Sequence, residues 1–160
     1  MIEAAVLTIS DSVHDGTRVD QSGPAVKQRL ESLGWQVPVI EVLPDDRARI
    51  AARLRELIIP VIFTTGGTGL AARDVTPEAT RDVIDREIPG LAEVMRAVGR
   101  QSTKLAPLSR ALAGTRGNTL IVNLPGSPRG AVESLDAIVE LLPHVVDLLN
   151  GKTEHPSAAS

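Results

Sequence analysis

The chain has 160 residues, of which 42% are hydrophobic and 23% are charged, and this is enough for one globular domain with a substantial core. The net charge of −3 and an aromatic supply limited to Trp35 and Phe63 argue against nucleic-acid binding, because neither a basic surface nor a stacking platform can be built. The lack of cysteine excludes disulfides, thiolate metal sites and cysteine nucleophiles. No apolar run approaches the length of about 18 residues that a membrane helix needs, and the N-terminus lacks a basic region, so we expect a cytoplasmic protein without membrane contact.

The first part of the chain alternates between short apolar runs and helical periods. Strands are predicted over residues 4–9, 35–43 and 60–64. One helix is predicted to begin at Ser22 and to end before Gly34, and a second begins at residues 44–46. This alternation is typical of a parallel sheet with right-handed crossover helices.

The second part begins with a predicted helix in which Thr76 is the N-cap and Pro77 the first helical residue. Another helix is predicted over residues 91–99. Residues 111–124 predict a short hairpin of two strands, with its turn at residues 115–118.

A wide apolar stripe from Val132 to Leu149 predicts a final core-facing helix, kinked at Pro143. His144 lies within it and is expected to be a packed histidine. We expect a single domain over residues 1–151 and a flexible tail over residues 152–160.

A glycine-rich loop over residues 65–69 follows the third strand. Three glycines in four residues let the backbone turn tightly and point several N–H groups in one direction, which favours phosphate. The loop lies at the carboxyl edge of the sheet, where open α/β sheets bind ligands. The alternative is a turn without a ligand. Neither the dinucleotide fingerprint nor the P-loop fits, because their strand and helix context is missing.

Two aspartates at the same edge of the sheet are candidate ligands for a metal ion that binds phosphates. Asp74 precedes a helix start, and Asp45 follows the second strand. A Mg²⁺ ion shared with substrate phosphates needs only one or two carboxylates. The alternative is that acids simply favour helix N-termini, and for Asp46 we prefer that interpretation.

Further polar turns lie near this edge: residues 10–12 after the first strand, Ser109-Arg110 before the late strands, and residues 124–128, where Ser127 precedes a helix. Each is equally compatible with ordinary turn chemistry.

Three segments together resemble the Mog/MoaB family of molybdenum cofactor biosynthesis: residues 64–69, residues 73–78 and residues 124–128. The resemblance extends from about residue 4 to residue 151. It implies a three-layer α/β sandwich with a mostly parallel central sheet and a short late β-hairpin, commonly assembled as a homotrimer.

The resemblance also implies a reaction, in which the terminal phosphate of molybdopterin attacks the α-phosphate of Mg-ATP. The products are adenylylated molybdopterin and pyrophosphate. By motif position, Asp74 and Asp45 match the catalytic and metal-binding acids. The matching substrate-binding positions are Ser10, Asp11, Thr65, Gly66, Gly67, Thr68, Gly69, Arg73, Ser109, Arg110, Pro125, Gly126, Ser127 and Pro128.

Two other functions are compatible with the same motifs. One is a molybdopterin-binding or carrier module of the MoaB type that does not turn over its ligand. The other is a scaffold protein, which is the weaker hypothesis because the chain has no linker or partner-binding extension.

Overall fold

The computed structural model describes residues 1–154, which form one mixed sheet with helices on both faces. The strands are β1 (Glu3–Ile9), β2 (Gln36–Leu43), β3 (Val61–Thr65), β4 (Arg86–Glu87), β5 (Ala113–Arg116) and β6 (Thr119–Leu124). The helices are α1 (Asp11–His14), α2 (Ser22–Ser32), α3 (Arg47–Glu56), α4 (Thr76–Arg81), α5 (Pro89–Ser102), α6 (Pro128–Ile138) and α7 (Leu142–Leu149).

The sheet order is β2-β1-β3-β6-β5-β4. The first four strands in this order run parallel, β5 pairs antiparallel with β6, and β4 pairs antiparallel with β5 at the edge. The predicted parallel sheet with a late hairpin is therefore confirmed. Because β1, β2, β3 and β6 point the same way, the loops that follow them meet at one edge of the sheet.

Two apolar layers cover the sheet, as the predicted three-layer sandwich requires. Alternate residues of each central strand enter opposite layers: Val6 and Phe63 pack on one face, whereas Leu7 and Ile62 pack on the other. The first face is covered by α2, α5, α6 and α7, and the second by α3 and α4. Burial on both faces explains why these strands are continuous apolar runs.

The predicted cap of α4 was wrong. Thr76 is the first helical residue, Val75 is the N-cap, and no side chain caps this helix. Thr76 is fully buried and its Oγ1 has no hydrogen-bond partner among the described residues. Its hydroxyl is turned away from the helix start and lies against Gly67.

The last helical region is also divided rather than merely kinked. A 3-10 turn over Val139–Leu141 separates α6 from α7, and Pro143 lies in the first turn of α7. Proline is tolerated there because the first N–H groups of a helix have no acceptor within it. His144 is half-buried in α7.

Several short elements had no strong sequence signal, namely α1, β4 and a 3-10 turn over Ala106–Leu108. The helix predicted over residues 91–99 is longer at both ends. Of the predicted flexible tail, residues 152–154 have no regular structure and residues 155–160 lie outside the described part. Within residues 1–154, no helix is long and apolar enough to cross a membrane.

Candidate functional site

A polar cleft of about 450 Å³ lies at the carboxyl edge of the four parallel strands. Each of the four loops contributes to it: Ser10 follows β1, Asp45 follows β2, Gly66 follows β3 and Gly126 follows β6. The sheet topology therefore brings together residues that are more than 100 positions apart in the sequence.

The glycine loop forms the floor of this cleft. Gly66 and Gly67 have φ angles of 106° and 68°, which residues with a side chain rarely adopt. Gly69 has no such positive φ. A Cβ atom on Gly66 would lie 2.3 Å from the carbonyl oxygen of Ile9, so the loop passes directly against the end of β1. Both glycines are thus required by backbone geometry, and adjacent residues of this kind form anion-binding concavities.

We expect Gly67→Ala to lower both the free energy of unfolding and the affinity for ATP, the nucleotide that the family resemblance implies. Its Cβ would lie 2.3 Å from Thr76 Oγ1 and 3.1 Å from Asp45 Oδ1, in addition to the strain of the positive φ. The control is Gly117→Ala, where φ is 55° and no atom lies within 4 Å of the new Cβ. The control should lose only about 1 kcal/mol of stability and bind ATP normally. The measurements are thermal unfolding and calorimetry. Equal effects in both variants would show that the loop is only a turn and does not bind ATP.

Three carboxylates surround the loop. Asp45 and Asp11 bind each other's backbone, since Asp11 N–H donates to Asp45 Oδ2 at 3.0 Å and Asp45 N–H donates to Asp11 Oδ1 at 2.9 Å. Asp74 Oδ2 accepts from Ala71 N–H at 3.0 Å and lies beside Gly69. Burial raises the pKa of Asp45, and the negative charges of Asp11 and Asp74 raise it further. The site therefore concentrates negative charge that a cation would relieve.

Arg73 is a cation beside this cluster. Its guanidinium forms an ion pair with Asp11 although most of its side chain is exposed. Together with Asp45, these two residues line a shallow depression next to the cleft. Arg73 is thus placed at the mouth of the cleft rather than at its floor.

Arg110 holds the glycine loop in place from behind. Its Nε donates to the carbonyl of Gly69 at 2.8 Å, its Nη2 donates to the carbonyl of Asp74 at 2.8 Å, and its Nη1 binds the Glu78 carboxylate at 2.7 Å. Its backbone N–H also donates to the carbonyl of Thr68 at 2.8 Å. One guanidinium therefore fixes both ends of the segment that carries Asp74, and no other type of side chain offers this fork of donors.

Arg110→Lys should reduce turnover about tenfold and stability by about 1 kcal/mol, because an ammonium group cannot reach both carbonyls and the carboxylate together. The apparent affinity for Mg-ATP should fall while binding of molybdopterin is retained, these being the two substrates that the family resemblance implies. The matched control is Arg29→Lys, which alters an exposed ion pair between α2 and Asp136 of α6. Turnover equal to that of the wild type would show that the Arg110 fork does not position the loop.

The residues predicted for the site, including the two catalytic aspartates, fall into four groups. Ser10, Asp45, Thr65, Gly66, Gly67, Asp74, Gly126, Ser127 and Pro128 line the polar cleft. Asp11 and Arg73 lie at its mouth, and Thr68, Gly69 and Arg110 form the supporting layer. Ser109 and Pro125 face a different, apolar cavity, which Ser127 also lines.

Some of these residues also form hydrogen bonds within the protein that stabilise the walls of the cleft. The hydroxyl of Ser127 accepts from Gly130 N–H at 3.0 Å and caps α6, and the hydroxyl of Thr65 donates to the carbonyl of Pro125 at 2.6 Å. Asp46 caps α3 by accepting from Arg49 N–H, as predicted. The turn after β6 is therefore tied to the end of β3, which fixes the wall of the cleft.

Sequence reasoning missed a buried amide behind the loop. Asn123 is fully buried on β6, and its amide nitrogen donates to the hydroxyls of Thr64 and Thr80, both at 3.0 Å. Its carbonyl accepts from Leu112 N–H at 3.2 Å. This network joins β3, β6 and α4. A lone asparagine in an apolar strand was the signal that could have revealed it.

Asp20 was also missed as a wall of the cleft. Its Oδ2 accepts from the Thr8 hydroxyl at 2.9 Å and its Oδ1 from Gly23 N–H at 3.1 Å. A Cβ on Gly23 would lie 2.4 Å from Thr8 Oγ1, so α2 begins in direct contact with β1. An aspartate directly before the start of a helix, in the run Asp20-Gln21-Ser22-Gly23-Pro24, was the available signal.

Residues 5–144 match the family model described as a probable molybdopterin binding domain. The chain belongs to this family. Among curated proteins, the molybdopterin adenylyltransferase of Helicobacter pylori strain J99 is 38% identical to the chain over 156 residues. The match covers 94% of this chain and 89% of that protein. The resemblance stated from the motifs is therefore confirmed.

Solved structures of the family have the same fold. The molybdopterin biosynthesis enzyme MoaB from Thermus thermophilus superposes with a TM-score of 0.89 at 48% identity, covering 95% of this chain and 98% of that one.

Some relatives are much longer. The molybdenum cofactor synthesis protein cinnamon of Drosophila melanogaster is 43% identical over 153 residues, a match that covers 92% of this chain and only 26% of that protein. The chain thus spans about a quarter of the length of this relative.

Proposed function

We propose that this protein is a nucleotidyltransferase of molybdenum cofactor biosynthesis that adenylylates molybdopterin with Mg-ATP. A phosphate oxygen of molybdopterin attacks the α-phosphorus of ATP, a new P–O bond forms, and the bond to pyrophosphate breaks. The observation that carries the proposal is that Asp45 and Asp74 lie against the glycine loop in one cleft, Asp45 at Gly67 and Asp74 at Gly69. Family relatives named molybdopterin adenylyltransferase support the same reaction.

The donor set fits Mg²⁺ that arrives with ATP. Within the described residues there is no group of three or more histidine or acidic side chains that could hold a metal ion by themselves. Of the three carboxylates at the loop, Asp11 is paired with Arg73, which leaves Asp45 and Asp74. Mg²⁺ commonly binds one or two carboxylates together with substrate phosphates. Asp45 and Asp74 would hold the ion, which would neutralise charge on the phosphates. The raised pKa of Asp45 agrees with a carboxylate in need of a cation.

The remaining parts of the cleft position the phosphates. The glycine loop, with its two positive-φ residues, and the N-terminus of α6 both border the cleft, and turns and helix N-termini of this kind favour anions. Arg73 adds a positive charge at the mouth. Attack of one phosphate on another is opposed by repulsion, so fixed donors and correct alignment supply most of the acceleration. No covalent intermediate is required, in agreement with a chain that lacks cysteine.

The test uses ATP labelled at the α-phosphate. Incubation with Mg²⁺, molybdopterin and the purified protein should transfer the labelled AMP group to molybdopterin. A protein that binds molybdopterin but transfers no label would instead be the carrier of the MoaB type.

We include a cytoplasmic location in the proposal, since both substrates would be met there.

We also propose a homotrimer. Light scattering at micromolar concentration should give about three times the monomer mass of 16.9 kDa. The expectation comes from the family resemblance, and exposed apolar side chains such as Ile58, Leu70 and Leu105 are available for interfaces. A monomer at all concentrations would contradict it.

A further inference from the structure

Arg18 is the one cationic side chain that lines the polar cleft within residues 1–154. The other charged residues of the lining are aspartates: Asp20, Asp45 and Asp74. Arg18 is exposed, and its guanidinium forms neither an ion pair nor a hydrogen bond with another residue of the described chain. Its charge is therefore available to a ligand in the cleft.

The other arginines around the glycine loop are already bound within the protein. Arg73 pairs with Asp11 at the mouth of the cleft. Arg110 binds the Glu78 carboxylate and two carbonyl groups behind the loop. A paired carboxylate cancels much of the attraction that such an arginine exerts on an anion, because the opposite charges lie close together. Arg18 has no such partner.

Hydrogen bonds on both sides hold the backbone of Arg18 in place. On one side, Arg18 N–H donates to the carbonyl of Ser12 in α1 at 3.0 Å, and the Thr17 hydroxyl donates to the same carbonyl at 3.1 Å. On the other side, both carboxylate oxygens of Asp20 accept hydrogen bonds, one from β1 and one from the start of α2. The Asp20 carboxylate is thus occupied, and the arginine extends from a backbone that is fixed at both ends.

Transfer of AMP creates a charge that such a cation stabilises. As the phosphate oxygen of molybdopterin bonds to the α-phosphorus, the bond from that phosphorus to the bridging oxygen breaks, and its electron pair remains on the leaving pyrophosphate. Mg²⁺ neutralises only part of this charge. A guanidinium carries five N–H donors in a planar fork that fits two phosphate oxygens, so it stabilises the leaving group without transfer of a proton.

The attacking and leaving phosphates need separate anion sites, because an in-line displacement places them on opposite sides of the α-phosphorus. Two segments of the cleft lining are available beside the glycine loop: the start of α6 and the loop that carries Arg18. Pyrophosphate carries more negative charge than the phosphate group that attacks, so the unpaired cation matches the leaving group.

We infer that Arg18 binds the β- and γ-phosphates of ATP and stabilises the pyrophosphate that leaves. The inference rests on the proposed function for the identity of the nucleotide. It makes Arg18 a catalytic residue in direct contact with the reacting group, whereas Arg110 positions the glycine loop.

The first experiment measures binding by calorimetry, with Mg-pyrophosphate, Mg-ATP and AMP as separate ligands. Arg18→Gln should keep the fold, because the position is exposed and its hydrogen bond to Ser12 is made by the backbone. The dissociation constants for pyrophosphate and ATP should rise about tenfold or more, as for a lost charge-assisted hydrogen bond, and that for AMP should not change. Arg18→Lys keeps the charge without the fork and should give an intermediate effect.

The matched control is Arg49→Gln. Arg49 is also an exposed arginine without an ion pair in the described chain, but it lies on α3 and does not line the cleft. This variant should bind all three ligands as the wild type does. Added salt should weaken pyrophosphate binding more in the wild type than in Arg18→Gln, because salt screens the contact between charges.

The second experiment measures turnover at saturating Mg-ATP. Because the charge on the leaving group develops in the transition state, Arg18→Gln should also lower turnover, by about tenfold or more. Inhibition of the transfer by added pyrophosphate should weaken in parallel. A residue that only maintained the shape of its loop would not link turnover to the affinity for pyrophosphate.

Unchanged pyrophosphate affinity in Arg18→Gln, or no binding of Mg-pyrophosphate by the wild type, would overturn the inference. An equal loss of AMP affinity would also overturn it, since Arg18 would then contact the α-phosphate. So would a loss of molybdopterin affinity alone, which would assign Arg18 to the attacking phosphate.

These outcomes are separate from those of the proposed function. Pyrophosphate binding that depends on Arg18, without transfer of AMP to molybdopterin, would sustain the anion site and reject the transferase. Transfer of AMP with unaltered pyrophosphate affinity and turnover in Arg18→Gln would do the reverse.

Discussion

Asp74→Asn is expected to lower adenylyl transfer by about two orders of magnitude or more, the scale of losing one preorganised electrostatic group. Asparagine is nearly the same size, and its Oδ1 can still accept the hydrogen bond that Ala71 N–H donates to the aspartate. The fold and molybdopterin binding should therefore be retained. What is lost is the charge beside Gly69 that would hold Mg²⁺ on the phosphates. The measurement is product formation at saturating Mg-ATP.

The matched control for this variant is Asp85→Asn. Asp85 is likewise a loop aspartate that accepts a backbone hydrogen bond, from Gly117 N–H at 2.8 Å, but it lies outside the cleft. It should retain full turnover. Wild-type turnover in Asp74→Asn would reject the metal-binding role, and loss of the fold would show that Asp74 only organises the loop.

Asp45→Asn is expected to lose activity to a similar extent, about a hundredfold, and yet to become more stable at neutral pH. In the folded chain, burial and the neighbouring carboxylates of Asp11 and Asp74 disfavour the ionised form and raise the pKa of Asp45. Asparagine removes that charge and keeps an oxygen for the hydrogen bond from Asp11 N–H. A residue that lowers stability but supports turnover is the expected signature of a functional site.

The stability gain should depend on pH in a defined direction. Because folding raises the pKa of Asp45 above its ordinary value of 3.8, the stability it contributes is complete below that value and is lost as the pH rises through the raised pKa. Asp45→Asn should therefore unfold at a higher temperature than the wild type at pH 7. The difference should shrink on acidification and vanish below about pH 3.8.

Asp46→Asn is the control for this prediction. Asp46 is adjacent in sequence, but its side chain accepts from Arg49 N–H at the start of α3, and asparagine caps a helix about as well. Activity and stability should stay close to those of the wild type. If Asp45→Asn were less stable than Asp46→Asn at pH 7, the repulsion inferred at the loop would be contradicted.

The sheet could be predicted from the sequence because its central strands are buried on both faces. Residues such as Val6, Leu7 and Phe63 then form apolar runs without polar interruption, and the spacing leaves room for a helix between successive strands. β4 was missed because two exposed residues, Arg86 and Glu87, carry no periodic signal. Its pairing comes from β5 and not from its own composition.

The cap of α4 shows where a local rule fails. A threonine followed by proline and glutamate fits a helix start, yet tertiary packing places the Thr76 side chain against Gly67 instead. A local pattern cannot reveal this contact, because it depends on how the glycine loop turns back over α4.

The site could be predicted in part. The topology places the end of each parallel strand at one edge, so Asp45, Asp74 and the glycine loop were expected near each other, and they are. The role of Arg110 in holding the loop could not be predicted, because its partners are carbonyl groups of Gly69 and Asp74 about 40 residues away. Every residue has a main-chain carbonyl group, so the sequence does not indicate which of them accept a hydrogen bond from an arginine.

The most direct test of the proposed reaction is pyrophosphate release by the wild-type protein. With Mg-ATP and molybdopterin both present, one pyrophosphate should appear for each adenylylated molybdopterin formed, and omission of molybdopterin should abolish the release. Release that does not depend on molybdopterin, or binding of molybdopterin without any release, would contradict the assignment of this cleft to adenylyl transfer.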